Sequence, residues 1–294
     1  MIKQAIIKIL YRITHLALTL FALLPLSIIQ AIGASFGWLA YVFSSKHKRI
    51  LNKNIGLYKG AQYTKSFINQ NVAETGKTFF ETFPIWLRSQ AAVLSLVKNC
   101  TGWQHVVTAL AAGKGIIFLT PHLGCFEITS LYYGARHPMV VLYRPPRQRW
   151  LLPLIEASRQ RGNITLAPAN SAGVKQLLQA LKRGEAIGML PDQAPFEGEG
   201  EWAPFFGKPA YTMTLAGKLA QKTGAQVLMA FGERLPHGGG YHIHVTPIAQ
   251  GGIATPALMN AEIERMIAQK PTQYLWSYDR YKARHQALPP DYFG

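Results

Sequence analysis

The hydrophobic pattern changes character along the chain. Residues 13–29 are almost wholly apolar apart from His15 and hydroxyl side chains, with Pro25 inside the run, and after Gln30 the stretch 31–43 is apolar again. The first run is just long enough to cross a bilayer; the second alone is too short. A spanning helix, a re-entrant pair and an in-plane anchor all fit this pattern. The hydrophobicity continues past a secretory h-region, which argues against a cleaved leader. From 64 to 99, Phe67, Ile68, Val72, Phe79, Phe80, Phe83, Trp86 and Leu87 recur at helical spacing and predict helices with a buried face.

Beyond residue 100, short apolar runs alternate with amphipathic stretches. The runs predict strands at 115–120, 139–143, 164–166, 186–190, 226–231 and 241–246. Between them, helices are predicted at 103–111, 125–133, 150–160, 174–183 and 212–222, with a loop after 190 and a last helix from about 257. This alternation is that of an α/β domain: a mixed, mostly parallel sheet flanked by helices. There is no internal repeat. The pattern divides the chain into an N-terminal hydrophobic helical anchor, 1–45, and an α/β domain, 46–294.

Charge sharpens the picture. The net charge is +17, and nothing before Glu74 is acidic, whereas Lys3, Lys8, Arg12, Lys46, Lys48, Arg49, Lys53, Lys59 and Lys65 are basic. Such a balance suits an anionic membrane surface, an acidic partner protein or nucleic acid. Because the positive charge is interleaved with apolar runs rather than a nucleic-acid-binding motif, the membrane is favoured and nucleic acid is not expected. Two cysteines, Cys100 and Cys125, are too few for a disulfide framework and point to a reducing compartment.

The densest chemistry lies where the run 115–120 breaks at Pro121 into His122-Leu123-Gly124-Cys125-Phe126-Glu127. Positions five apart on a helix are roughly 140° apart, so His122 and Glu127 meet only if His122 sits in the entering turn and Glu127 reaches back from the first turn. There the carboxylate would fix the imidazole tautomer while the other ring nitrogen takes a proton from a hydroxyl. Glu127 is the only acid between Glu81 and Glu156, which suggests a dedicated partner. Other candidates also follow predicted strands: Arg144, and Asp192 with Gln193. Arg136, Arg144, Arg147, Arg149, Arg159 and Arg161 form a lysine-free run suited to phosphate or carboxylate. His242 and His244 share one face of a strand, too few ligands for zinc, and the acidic loop 196–201 lacks EF-hand spacing; no metal site is expected.

The stretch from His122 to Glu127 resembles the H-x4-D/E motif of the glycerolipid and lipid A acyltransferases. Arg144-Pro145, Arg159, Pro191-Asp192-Gln193, Pro204-Phe205-Phe206-Gly207 and Trp276-x3-Arg280-x-Lys282 resemble, in order, blocks of the late (secondary) acyltransferases of lipid A biosynthesis. The resemblance implies transfer of a fatty acyl chain from acyl carrier protein to a hydroxyl of a lipid A precursor of the Kdo2-lipid IVA type. The enzyme would be a monomer at the inner membrane, its catalytic domain facing the cytoplasm, with no cofactor beyond the acyl donor. His122 would be the base, Glu127 its orienting partner, Arg144 and Arg159 anion-binding residues, and Asp192 with Gln193 substrate-binding residues, Asp192 orienting Arg159 or the acceptor. An acyltransferase for glycerophospholipids and a non-catalytic lipid-binding protein are the alternatives; Glu in place of Asp at 127 and the Asp-Gln and Phe-Phe-Gly blocks point away from the first.

Overall fold

The computed structural model describes residues 13–59, 64–145 and 152–282. Lys3, Lys8, Arg12, Arg147 and Arg149 lie outside the described residues, as does the start of the helix expected at 150–160.

The described residues begin with four helices, α1 (Ile13–Ala22), α2 (Leu26–Phe43), α3 (Ser45–Lys59) and α4 (Lys65–Phe80). Two short ones follow, α5 (Thr82–Leu87) and α6 (Gln90–Leu94). Then strands and helices alternate: β1 (Val97–Thr101), α7 (Trp103–Ala111), β2 (Ile116–Leu119), α8 (Phe126–Gly134), β3 (Met139–Tyr143), α9 (Leu152–Arg159), β4 (Ile164–Pro168), α10 (Ser171–Lys182) and β5 (Ala186–Met189). A hairpin of β6 (Gly200–Phe205) and β7 (Lys208–Met213) precedes α11 (Leu215–Thr223), β8 (Gln226–Arg234), β9 (Tyr241–Pro247) and α12 (Pro256–Ile267).

Seven strands form one sheet in the order β1-β9-β8-β2-β5-β3-β4. All neighbours run parallel except β8 and β9. The fold is therefore the mixed, mostly parallel α/β sheet expected from the alternation. Every residue of the central strands β2 and β5 is buried, as it must be when helices cover both faces. Ile117 and Leu119 enter one hydrophobic cluster and Ile116 and Phe118 the other.

Three elements differ from the sequence expectation. β1 begins inside the region read as helical, as a short edge strand whose exposed positions carry little hydrophobic signal. The region after 190 is not simply a loop: β6 and β7 pair there, joined at Phe206 and Gly207 with φ of 46° and 71°. Positive φ at both loop positions makes this a two-residue turn of the primed type, which accounts for the glycine of the Phe-Phe-Gly block. The helix expected at 212–222 consequently starts only at Leu215.

Candidate active site

The parallel register of β2 and β5 sets the centre of the site. Leu119 pairs with Met189, so His122 and Asp192, each three residues further on, emerge side by side beyond the strand ends. The turn that carries His122 is held from several directions. Gly124, at φ 60°, donates its N–H to Gln273 O at 3.0 Å, and a β-carbon there would meet Gly232 O at 2.1 Å, so only glycine fits. Leu275 N–H donates to His122 O at 3.0 Å. The Asn71 amide of α4 in turn donates to Thr272 O and Tyr274 O, and that of Asn54 of α3 to Trp276 O and Tyr278 O.

Asp192 holds His122 twice. The His122 backbone N–H donates to Oδ2 at 2.8 Å, and ring Nδ1 lies 2.8 Å from Oδ1. On the other side of the ring, the Gln193 amide nitrogen lies 3.2 Å from Nε2. An amide NH2 only donates and a carboxylate only accepts, so Nδ1 carries the hydrogen and Nε2 presents its lone pair. Burial pushes the Asp192 carboxyl up, but the neighbouring imidazole and backbone hydrogen bonds outweigh it and hold the group below its ordinary value. The buried Tyr274 hydroxyl faces the same carboxylate and is driven well up by burial and by that charge.

Glu127 occupies the first turn of α8, but its carboxylate faces Arg159 at the end of α9. The guanidinium grips it with Nε, at 3.0 Å from Oε2, and with Nη2 on Oε1. Burial would lower the Arg159 pKa; the Glu127 charge and hydrogen bonds overcome this and raise it. The Trp86 ring lies against the Arg159 guanidinium, 5.5 Å from centroid to Cζ. The pairing thus differs from the sequence expectation. Asp192, not Glu127, is on the imidazole, and Glu127, not Asp192, is on Arg159. A five-residue spacing shows that two side chains are near one turn; it does not show which third element brings a better partner.

Two spaces meet at Arg159. One is a narrow apolar pocket of about 60 Å³ between α8 and the sheet, with Glu127 and Arg159 among residues such as Phe118, Tyr133, Met139 and Ile164. The other is a groove of about 600 Å³ beyond the ends of β3, β4 and β5, lined by Arg144, Arg159, Asn170, Gln193 and Lys218 among others. Arg144 lies over the Phe196 ring at 4.2 Å and within 4.0 Å of Glu199. The groove's Lys218 and Asn170 escaped the sequence reading; no local motif marks them, and only the fold brings α11 and the start of α10 together.

The remaining expected residues have other duties. Arg280 is buried and donates to Tyr211 O and Thr212 Oγ1, both at 2.6 Å, so the C-terminal block ties the β6–β7 hairpin to the domain. Cys125 is buried and its thiol pushed well up by burial, the opposite of a reactive nucleophile. His242 and His244 do share a face of β9, where they join Glu233 with ligand atoms within 4.8 Å of one another. Glu233 is already engaged there, by His244 Nε2 at 2.8 Å and Lys270 Nζ at 2.7 Å.

An α/β sheet with an imidazole held on a carboxylate beyond its strand ends, beside an H-x4-E turn and an apolar pocket, has the parts of an acyl-transferring enzyme. The chain belongs to the bacterial lipid A biosynthesis acyltransferase family, which it matches over residues 4–283. It is 26% identical over 278 residues to the lipid A biosynthesis lauroyltransferase of Escherichia coli, covering 92% of this chain and 90% of that protein. It is also 26% identical over 275 residues to the palmitoleoyltransferase of the same organism, with 91% and 89% covered. A lipid A biosynthesis acyltransferase of Haemophilus influenzae is 25% identical over 283 residues, with 92% and 89% covered. The protein is an acyltransferase of lipid A biosynthesis.

Proposed function

We propose that this enzyme moves a fatty acyl chain from acyl carrier protein to a hydroxyl of a lipid A precursor of the Kdo2-lipid IVA type. It does so as a monomer at the cytoplasmic face of the inner membrane and without a cofactor. The observation that carries the reaction chemistry is the His122 ring, fixed by Asp192 with the Nε2 lone pair turned to Gln193, which lines the groove.

The acceptor hydroxyl takes the place of the Gln193 amide at Nε2 and gives up its proton as its oxygen attacks the thioester carbonyl. Asp192 stabilises the imidazolium that forms. Arg159 uses Nε and Nη2 on Glu127, leaving Nη1 to meet the developing oxyanion or a substrate phosphate. When the tetrahedral intermediate collapses, the carbon–sulfur bond breaks and the imidazolium protonates the departing thiolate, so His122 ends as it began. The acyl chain occupies the apolar pocket, where Met139 and Met189 are the side chains best able to yield. The phosphorylated headgroup lies in the groove near Arg144 and Lys218. The net positive charge favours both an acidic carrier and an anionic membrane.

The test is acyl transfer in detergent micelles, from acyl carrier protein and separately from coenzyme A, to a tetra-acylated lipid A precursor and to a lysophospholipid. Transfer from the carrier to the lipid A precursor, abolished in His122→Ala, is expected. Preference for the lysophospholipid would overturn the acceptor, and preference for coenzyme A would overturn the donor.

A further inference from the structure

α2 is the one described helix long and apolar enough to cross a membrane. At about 1.5 Å per residue it would reach about 27 Å, close to the hydrocarbon thickness of a bilayer. Its contacts do not suit a crossing.

One stripe of the helix, Leu26, Ile29, Gln30, Gly33 and Gly37, is buried against the domain. The closest approach is to α4: a β-carbon on Gly37 would stand 2.3 Å from Val72 O, and one on Gly76 would stand 2.0 Å from Gly33 O. Gly33-x3-Gly37 is the small-residue spacing through which membrane helices pair, and here α4 of the same chain occupies that face. α4 cannot follow α2 into lipid. Its Glu74 binds the buried Arg234, as does Glu81 just beyond its end. Both ends of α2 are also fastened to this same body. At the start, Ser27 lies so near Gly238 that a β-carbon on the glycine would come within 2.4 Å of Ser27 N. At the end, the Tyr41 hydroxyl donates to Asn52 of α3 at 3.1 Å, and Leu51 and Ile55 of α3 are fully buried in the core.

What α2 leaves uncovered is mostly apolar: beside Ser27 and Ser35, the large side chains Ile28, Phe36, Trp38, Leu39, Val42 and Phe43 are exposed, Phe43 at 81%. Alongside, α3 exposes Lys46, Lys48, Arg49 and Lys53 and contains no acid. An apolar face bordered by cations suits an anionic lipid surface.

We infer that α2 lies in the plane of an anionic bilayer, its Ile28–Phe43 face sunk into one leaflet and both its ends on the same side as the catalytic domain. The inference rests on the reading that the enzyme works at a membrane, and adds how it sits there. It also places the site. Arg88 donates from Nε to Ala22 O at 2.7 Å and from Nη2 to Leu24 O at 2.6 Å, clamping the corner between α1 and α2. Two residues earlier, Trp86 lies against Arg159. The corner and the Arg159–Glu127 pair thus touch the same short segment, Trp86 to Arg88, which puts the pair on the side of the domain where α2 enters the leaflet.

The test uses the full chain in native inner membranes, with Cys100→Ser removing the half-buried thiol. Ser27→Cys and Ser45→Cys, one at each end of α2, are exposed separately to an impermeant maleimide in right-side-out and inside-out vesicles. An in-plane helix gives labelling of both only in inside-out vesicles; labelling of the two ends from opposite sides overturns the inference. Fluorophores at Ile28→Cys, Phe36→Cys and Phe43→Cys, with purified protein on anionic vesicles and lipids brominated at graded depth, give the second readout. Equal, shallow depths are expected. Phe36→Cys deepest with the ends shallow means a span and overturns the in-plane placement alone; no quenching at any position, on vesicles that the protein fails to bind, overturns the membrane reading with it.

Discussion

Asp192 accepts two hydrogen bonds from His122, one from the backbone N–H and one from Nδ1, each at 2.8 Å. A carboxylate so held is ionised more readily in the folded protein than in the unfolded chain. Its stabilising contribution is therefore fully present above the unfolded value of about 3.9, and is lost as pH falls through the lower folded value. Stability measured by denaturant titration should decline below about pH 4. In Asp192→Asn that part of the decline should be missing; an unchanged acid limb would show that Asp192 is not a source of it.

Glu127→Ala leaves the Arg159 guanidinium, with a side chain 24% exposed, without its counter-ion. A loss of up to about 3 kcal/mol is expected, less than for a fully buried pair because solvent reaches the arginine. The melting temperature should fall along with the activity. Arg159→Lys keeps the charge but not the fork, so it should recover stability better than activity. Equal recovery of both would mean that the pair acts through charge alone.

Gly76→Ala drives a methyl group towards the Gly33 carbonyl oxygen. Separating α2 from α4 should cost about 1–3 kcal/mol by thermal or chemical unfolding. Ala31→Gly, at an exposed position with no such contact, should cost no more than about 1 kcal/mol. Similar losses in the two variants would deny that the close crossing matters.

Gly188 lies on the wall of the apolar pocket, where a β-carbon would meet Met139 Cε at 2.6 Å. Gly188→Ala should shorten the preferred acyl chain. One methylene in an apolar pocket is worth about 1–3 kcal/mol, so competing donors two carbons apart should shift in ratio by at least tenfold. An unaltered chain-length profile would move the acyl chain elsewhere.

The sheet was legible because its strands are short apolar runs between turn residues: 115–120, 139–143 and 186–190 each match an observed strand to within a residue or so. β1 was not, since an edge strand with residues such as Lys98 and Asn99 outside carries no apolar alternation. His122, Arg144 and Asp192 could be named from local signals, each standing just past a strand, whereas Glu127 and Arg159 lie in helices. Their pairing could not be read, because it depends on β2 lying beside β5 in equal register and on the last residue of α9, Arg159, reaching the first turn of α8. Spacing along the chain reports neither. The histidines of β9 show the same limit: alternation placed them on one face, but Glu233 reaches His244 from β8 and is itself held by Lys270 from beyond α12.

The central claim, that His122 held by Asp192 deprotonates the acceptor, is tested most directly by single-turnover acyl transfer from acyl carrier protein to a tetra-acylated lipid A precursor by wild type and Asp192→Asn. A loss of about 10²–10⁴ in the transfer rate, with acceptor affinity little changed, is predicted. A rate within a few-fold of wild type in a folded Asp192→Asn enzyme would contradict it and return the role to Glu127.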